Sequence, residues 1–403
     1  MPPDPDRLRA IVEHLATLDR PSASKGERVA AEWIAERLRG EGLEARVEVE
    51  RAHGTYWIPL GLLSAAGALA GLAPMGGPNR GRRALAAALG AAAAAGIVDD
   101  VSAGPHLFRS LLPRRNTYNV VADAGDPGAD QTLVFVSHHD AAHGGLIFNE
   151  QFVTRIADRF PAWFERRQTS PPVMRLVAGG PILVALGALL DSKQLRRLGT
   201  AISLGSVLAF ADIAARAVVP GANDNLSAVA VVLELARLLR ETPVTGVRVV
   251  LVSTGSEESF MEGMRGFVRR HSADLPPERT RVVCVESVGS PHLIVIEGEG
   301  MIRIQDYPLE MRELLAAGAR RAGLPLGRGL RLGLATDGLI ALQAGYPTAT
   351  LASVTKYRFP ANYHSQRDVP ANVDFETVRR ATAVCEAVVR DVAGERIGPG
   401  GPG

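Results

Sequence analysis

The sequence predicts an α/β fold interrupted by two apolar helical hairpins. Two observations carry the α/β part. The segments 132–137, 249–254 and 281–285 are short apolar runs rich in β-branched residues, the pattern of buried strands. Residues 227–239 (Ser-Ala-Val-Ala-Val-Val-Leu-Glu-Leu-Ala-Arg-Leu-Leu) carry a strong helical pattern. The third observation gives the hairpins. Segments of about 55–111 and 146–218 are largely apolar and are broken midway by basic residues.

The elements follow in order. Residues 6–19 and 26–42 read as amphipathic helices, with Ser22 or Ser24 as a cap for the second. The first hairpin runs apolar from Tyr56 to Gly77, turns at Arg80, Arg82 and Arg83, and returns along 84–98. Residues 132–137 are an expected strand. The second hairpin goes out along 176–190, turns at Lys193, Arg196 and Arg197, and returns along 198–211. The shared design predicts that the two hairpins pack together as four helices. The α/β domain would then be discontinuous, over 1–54, 112–145 and 219–397. The Gly/Pro-rich tail 398–403 is expected to be disordered.

Each expected strand runs into polar residues suited to chemistry. His138 and Asp140 follow the first, Glu257 and Glu258 the second, and Glu286 ends the third. In open α/β sheets ligands bind outside the carboxyl ends of the strands. Asp224 falls just before the helix at Ser227, where the helix dipole favours a carboxylate. His364 comes late, in Asn362-Tyr363-His364-Ser365. Taken singly these are ordinary features: adjacent glutamates usually face solvent, and Asp-Asn after Pro-Gly-Ala is usually a turn. Taken together, two histidines and three carboxylates suit two divalent ions, with zinc the best match. Glu257 cannot easily share an ion with its neighbour Glu258, which leaves it free for acid–base work. His139 and His143 read as non-ligand side chains beside the pocket.

These motifs resemble the co-catalytic zinc peptidases, a family that includes bacterial leucyl aminopeptidases, aminopeptidase Y, glutamate carboxypeptidase and the glutaminyl cyclases. The matching stretches are His138-His-Asp140, Gly221-Ala-Asn-Asp224-Asn-Leu-Ser227, Glu257-Glu258, Glu286-Ser-Val-Gly289 and Tyr363-His364. The resemblance implies a three-layer sandwich around a mixed, mostly parallel sheet. It implies that Asp224 bridges two Zn2+ ions, His138 and Glu286 completing one site and Glu258 and His364 the other. It makes Asp140 the residue that orients His138, Glu257 the general base, and Tyr363 a hydrogen-bond donor to the developing oxyanion. The substrate would be a peptide or another amide, and aminopeptidase activity is the expectation. Two departures stand out. Glu286 replaces the usual Asp, and Phe260 and Met264 stand where the family has Gly and Ser after the glutamate pair. A carboxypeptidase, cyclase or deacylase of the same fold is the nearest rival. An inactive scaffold is the rival from another class, but such relatives typically lose ligands and the base, and none is lost here.

A net charge of +2 over 403 residues gives no reason to expect a nucleic-acid partner. Two cysteines, Cys284 and Cys385, make no disulfide framework, and Cys284 reads as core packing. The four apolar runs are read as membrane helices with lipid as a partner. The stretch 52–79 is long enough to span, and Tyr56 and Trp57 suit an interface position. The expectation is a multi-pass plasma-membrane protein. The basic loops would favour an external catalytic domain, but the first ~50 residues read without a signal peptide, so the cytoplasmic side is favoured.

Overall fold

In the computed structural model, residues 2–72, 80–149, 154–155, 158–159 and 168–394 are described. The expected tail 398–403 and the turn of the first hairpin before Arg80 lie outside them. The chain opens with α1 (Pro5–Leu15), α2 (Lys25–Gly40) and β1 (Glu44–Ala52). Asp4 caps α1, and the Ser24 hydroxyl accepts from Glu27 N to cap α2. The first helix ends sooner than expected, because the chain is drawn off at Arg20, whose fully buried guanidinium is tied to three carbonyls elsewhere.

Among the described residues the sheet has nine strands. After β1 come β2 (Arg115–Gly125), β3 (Thr132–His138), β4 (Arg248–Thr254), β5 (Thr280–Glu286), β6 (His292–Glu299), β7 (Gln305–Asp306), β8 (Gly327–Leu332) and β9 (Thr348–Val354). Their order is β1-β2-β4-β3-β5-β9-β6-β7, with β8 on β6. The centre, β4-β3-β5-β9, is parallel, and antiparallel pairs flank it. This is the expected mixed sheet. The side chains of β3 serve both faces. Leu133 and Phe135 join one core, while Val134 and Val136 join another. A strand buried on both faces must be apolar throughout, which is why its sequence shows a run and not an alternation.

The first core lies under α1, α2, α7 (Ser227–Glu241), α9 (Leu309–Arg321) and α11 (Phe375–Val392). The second lies under α8 (Glu262–His271) and α10 (Asp337–Gln343). The hairpins stand on this second face. They supply α3 (Trp57–Leu72), α4 (Arg80–Val101), α5 (Val173–Leu189) and α6 (Lys193–Ala215). These four pack on one another as expected. Their seams use small residues. A Cβ on Gly199 would sit 2.6 Å from Gly180 O and Val184 N, so the backbones of α5 and α6 nearly touch.

Two local expectations need correction. Arg80, Arg82, Arg83, Lys193, Arg196 and Arg197 lie in the first turns of α4 and α6 and not in loops. Arg and Lys are good helix formers, and Ser192 caps α6. Tyr56 is buried, not interfacial. Its ring stacks on Phe260 at 5.0 Å, at the foot of the bundle.

Candidate metal centre

Parallel pairing sets the first ligand positions. His138 of β3 is level with Thr254 of β4, and Val136 with Cys284 of β5, so three strands end at one edge. His138, Glu257 with Glu258, and Glu286 are delivered there together. Asp224 sits in the irregular turn Ala222–Leu226 that leads into α7, and the Asp224–Asn225 peptide is cis. His364 arrives on the loop after β9. The backbone is held in left-handed conformations around nearly every one of these residues: Ser256, Phe260, Met261, Ser287, Asn362 and His364 all have positive φ. Non-glycine residues hold that region only where the surroundings force it, a strain that concentrates at functional sites.

The donor atoms are spaced as ligands of shared ions would be. His138 Nε2 lies 3.3 Å from Asp224 Oδ1 and 3.6 Å from Glu286 Oε1. His364 Nε2 lies 3.4 Å from Asp224 Oδ2 and 3.2 Å from Glu258 Oε2. Tetrahedral zinc with bonds near 2.0–2.1 Å separates its ligand atoms by about 3.3 Å. Asp224 thus offers one oxygen to each histidine. Asp224 Oδ2 and Glu258 Oε1 are buried with no hydrogen-bond partner. Buried carboxylate oxygens left bare are the places where a cation belongs.

The electrostatics agree. Left to protons alone, the site lacks positive charge. Burial works against a charged His364, yet Glu258 and Asp224 raise it to about 10. Burial raises Glu286 to about 7 and pushes Glu257 well above the usual carboxylate range, with Glu258 adding to the latter.

The surrounding hydrogen bonds fix the donors. Asp140 Oδ1 accepts from Glu257 N and Oδ2 from Glu258 N, both at 3.1 Å. Ser22 Oγ donates to Oδ2 at 2.6 Å, and His138 Nδ1 lies 3.3 Å from Oδ1. Asp140 therefore pins the glutamate pair as well as the histidine. Glu257 Oε2 stands 3.8 Å from His138 Nε2. The Tyr363 ring stacks on His364 at 3.9 Å. His139 and His143 bond Ser253 Oγ and Arg216 O.

Some participants escaped the sequence reading. Asn225 donates to Glu286 Oε2 and accepts from Ser287 N, which orients the longer Glu286. Asp368 accepts from Asn223 N and Asp224 N. Arg20 holds the carbonyls of His139, Pro220 and Gly221, which ties the His138 and Asp224 loops together. No spacing marks these partners, because each acts across more than sixty positions of chain.

Comparison with known proteins agrees with this fold. The aminopeptidase from Aneurinibacillus sp. strain AM-1 is 15% identical, with a TM-score of 0.55 over 96% of this chain and 94% of that one. A zinc aminopeptidase from Bacillus subtilis is 14% identical, with a TM-score of 0.54 over 97% and 95%. The glutaminyl cyclase of Fimbriiglobus ruber is also 14% identical, with a TM-score of 0.54 over 97% and 96%. At such identities the likeness is one of fold. No curated protein matches by sequence. A family model does match, over residues 183–389, from the second hairpin through the late histidine, and by it this chain belongs to peptidase family M28.

Proposed function

We propose that this protein is a membrane-embedded zinc aminopeptidase that holds two ions. The observation that carries the metal reading is the pair of His–carboxylate sets sharing Asp224 at ligand-like spacing, with bare carboxylate oxygens between them. His138, Asp224 and Glu286 would hold one zinc, and Asp224, Glu258 and His364 the other. Bound zinc lowers the pKa of water and polarises a carbonyl. The chain's own residues do the rest. Glu257 also comes within ligand reach of His138 and Glu258, but the two sets that share Asp224 leave it over, and it takes the proton from the attacking water. The stack of Tyr363 on His364 supports its role as hydrogen-bond donor to the developing oxyanion. Asp140 holds His138 and both glutamates in register.

The membrane reading is supported by the outside of the bundle. Leu62, Leu69, Leu72, Leu85, Leu89, Leu186, Leu189, Leu204 and Leu208 are exposed. Only 33% of the most apolar stretch of α6 is buried, where a core helix would be mostly covered. The 22 and 23 residues of α4 and α6 reach about 33–35 Å, enough for a hydrocarbon core of about 30 Å. On this reading the metal site would lie close to the bilayer, and we take the catalytic domain to face the cytoplasmic side of the plasma membrane.

One observation favours a second reading. A cavity of about 790 Å3 reaches His364 and is lined by Arg155, Arg216 and Arg367. Arginines recognise carboxylates better than amines. A carboxypeptidase, or an enzyme for acidic substrates, fits that lining. The test is digestion of a mixed peptide library by zinc-loaded, detergent-purified protein, read by mass spectrometry, with Glu257→Gln as control. Stepwise loss of N-terminal residues supports the aminopeptidase, loss of C-terminal residues the alternative. Turnover by E257Q at the wild-type rate sinks both.

A further inference from the structure

We propose that a second cavity, at the root of the first hairpin and lined by none of the proposed metal ligands, binds a phosphate group. A phospholipid headgroup and free phosphate share that chemistry. The cavity measures about 460 Å3. It lies between the end of β1, the linker that follows α4, and helices α8 and α10. Arg51, Arg114, Arg265 and Arg269 line it, with His53 and His106.

Charge carries the argument. Arg269 is paired with Glu50. Among the described residues, Arg51, Arg114 and Arg265 have no carboxylate partner. Arg51 donates to Asn116 Oδ1 at 2.7 Å and to Arg114 O at 2.9 Å, which fixes its fork. Arg265 donates to Gly104 O at 3.2 Å and lies 3.0 Å from His106 Nε2. Burial, reinforced by Arg265 and Arg109, lowers His106 to about 3, so its ring is neutral and can accept that bond. One carboxylate, Glu262, also forms part of the wall. It is already engaged by His53 Nδ1 at 2.6 Å, Ser259 Oγ at 2.7 Å and the Arg109 guanidinium at 3.6 Å. His53 Nε2 and Arg265 Nε remain buried without partners.

Glu262, Asp100 and Asp99 offset part of the charge around Arg265, and Arg51 and Arg114 on the same lining leave cationic groups that an anion would join. Planar guanidinium forks match phosphate oxygens in pairs, and phosphate offers more acceptor oxygens than a single carboxylate. The setting favours a lipid as the source, an arm that rests on the membrane reading above. The same linker exposes Leu107 and Leu111, at 69% and 80%, beside the charged opening. Apolar side chains next to a cationic pocket suit a surface where headgroups meet acyl chains.

The test uses full-length protein in detergent. Native mass spectrometry reads retention of dioleoylphosphatidylglycerol, and equilibrium dialysis reads inorganic phosphate. The variant is Arg51→Gln with Arg114→Gln, both exposed, so the fold is not at risk. The expected result is lipid retention by the wild type, weakened roughly thirtyfold in the variant at about one surface arginine's worth of attraction each. Phosphate binding lost in the variant, without a lipid difference, assigns the site to soluble phosphate. Equal behaviour of wild type and variant toward both probes overturns the proposal. Peptide turnover by the same variant should stay at the wild-type level, so failure of this site is separable from failure of the hydrolase reading, which E257Q tests.

Discussion

Replacing Asp140 by Asn should loosen zinc by 10- to 100-fold while leaving every proposed ligand in place. The structure sets the reason. Each oxygen of Asp140 accepts from a backbone N–H, one from Glu257 and the other from Glu258. An amide must present its NH2 to one of them. Turned one way it meets Glu257 N and the His138 ring; turned the other it meets Glu258 N and the Ser22 hydroxyl. Either orientation sets donor against donor. A hydrogen bond to a charged group contributes about 1.5–3 kcal/mol. Outer-sphere partners of metal ligands typically carry 10- to 100-fold in affinity, about 1.4–2.7 kcal/mol, which is the same size. The assay is competition of the purified variant against a chromogenic chelator, with circular dichroism to establish that the fold persists. Zinc held as tightly as in the wild type would refute the reasoning, because Asp140 would then be a spectator in a buried pocket.

Other outcomes follow from particular contacts. Glu257→Gln should lose 10²- to 10⁴-fold in kcat, as removal of a general base does, with zinc content unchanged by elemental analysis. Glu299 is buried against Tyr307 and Thr336, and burial raises its pKa to about 8. A raised carboxyl pKa favours the folded state at low pH, so this contribution is fully present below the ordinary value near 4.5 and is lost as pH rises towards 8. Glu299→Gln should therefore be more stable than the wild type by a few kcal/mol above pH 8, with the gain fading towards pH 4 in denaturant melts. Gly199→Val puts a branched side chain where even a Cβ meets backbone at 2.6 Å. It should destabilise the bundle by about 1–3 kcal/mol, read as a lower melting temperature in detergent.

The site was legible because its chemistry is written in short words. His138-His-Asp140, Glu257-Glu258 and the Asp224 turn each sit next to a strand or helix whose apolar pattern is unmistakable. Period and composition also placed the central strands β3, β4 and β5 within a residue or two. What stayed hidden was whatever depends on distant chain. Arg20 looks like one of many arginines until its guanidinium is seen on the carbonyls of Pro220 and Gly221. Tyr56 beside Trp57 reads as a membrane-interface pair, yet it packs against Phe260 from another part of the chain. The edge strands β7 and β8 left no signal, since two polar residues and an arginine-rich hexamer carry no period of their own.

The second hairpin leaves the domain and returns to it through one short clasp. His143 pairs with Val218, Gly144 N bonds Ala217 O, and Val219 N bonds Ala142 O. His138 precedes that clasp and Asp224 follows it. A growing chain therefore emits one proposed ligand, His138, then a long apolar detour, and only afterwards Asp224, Glu258, Glu286 and His364. The hairpin thus separates the first donor from the rest in chain order, and closing the clasp is what sets His138 3.3 Å from Asp224.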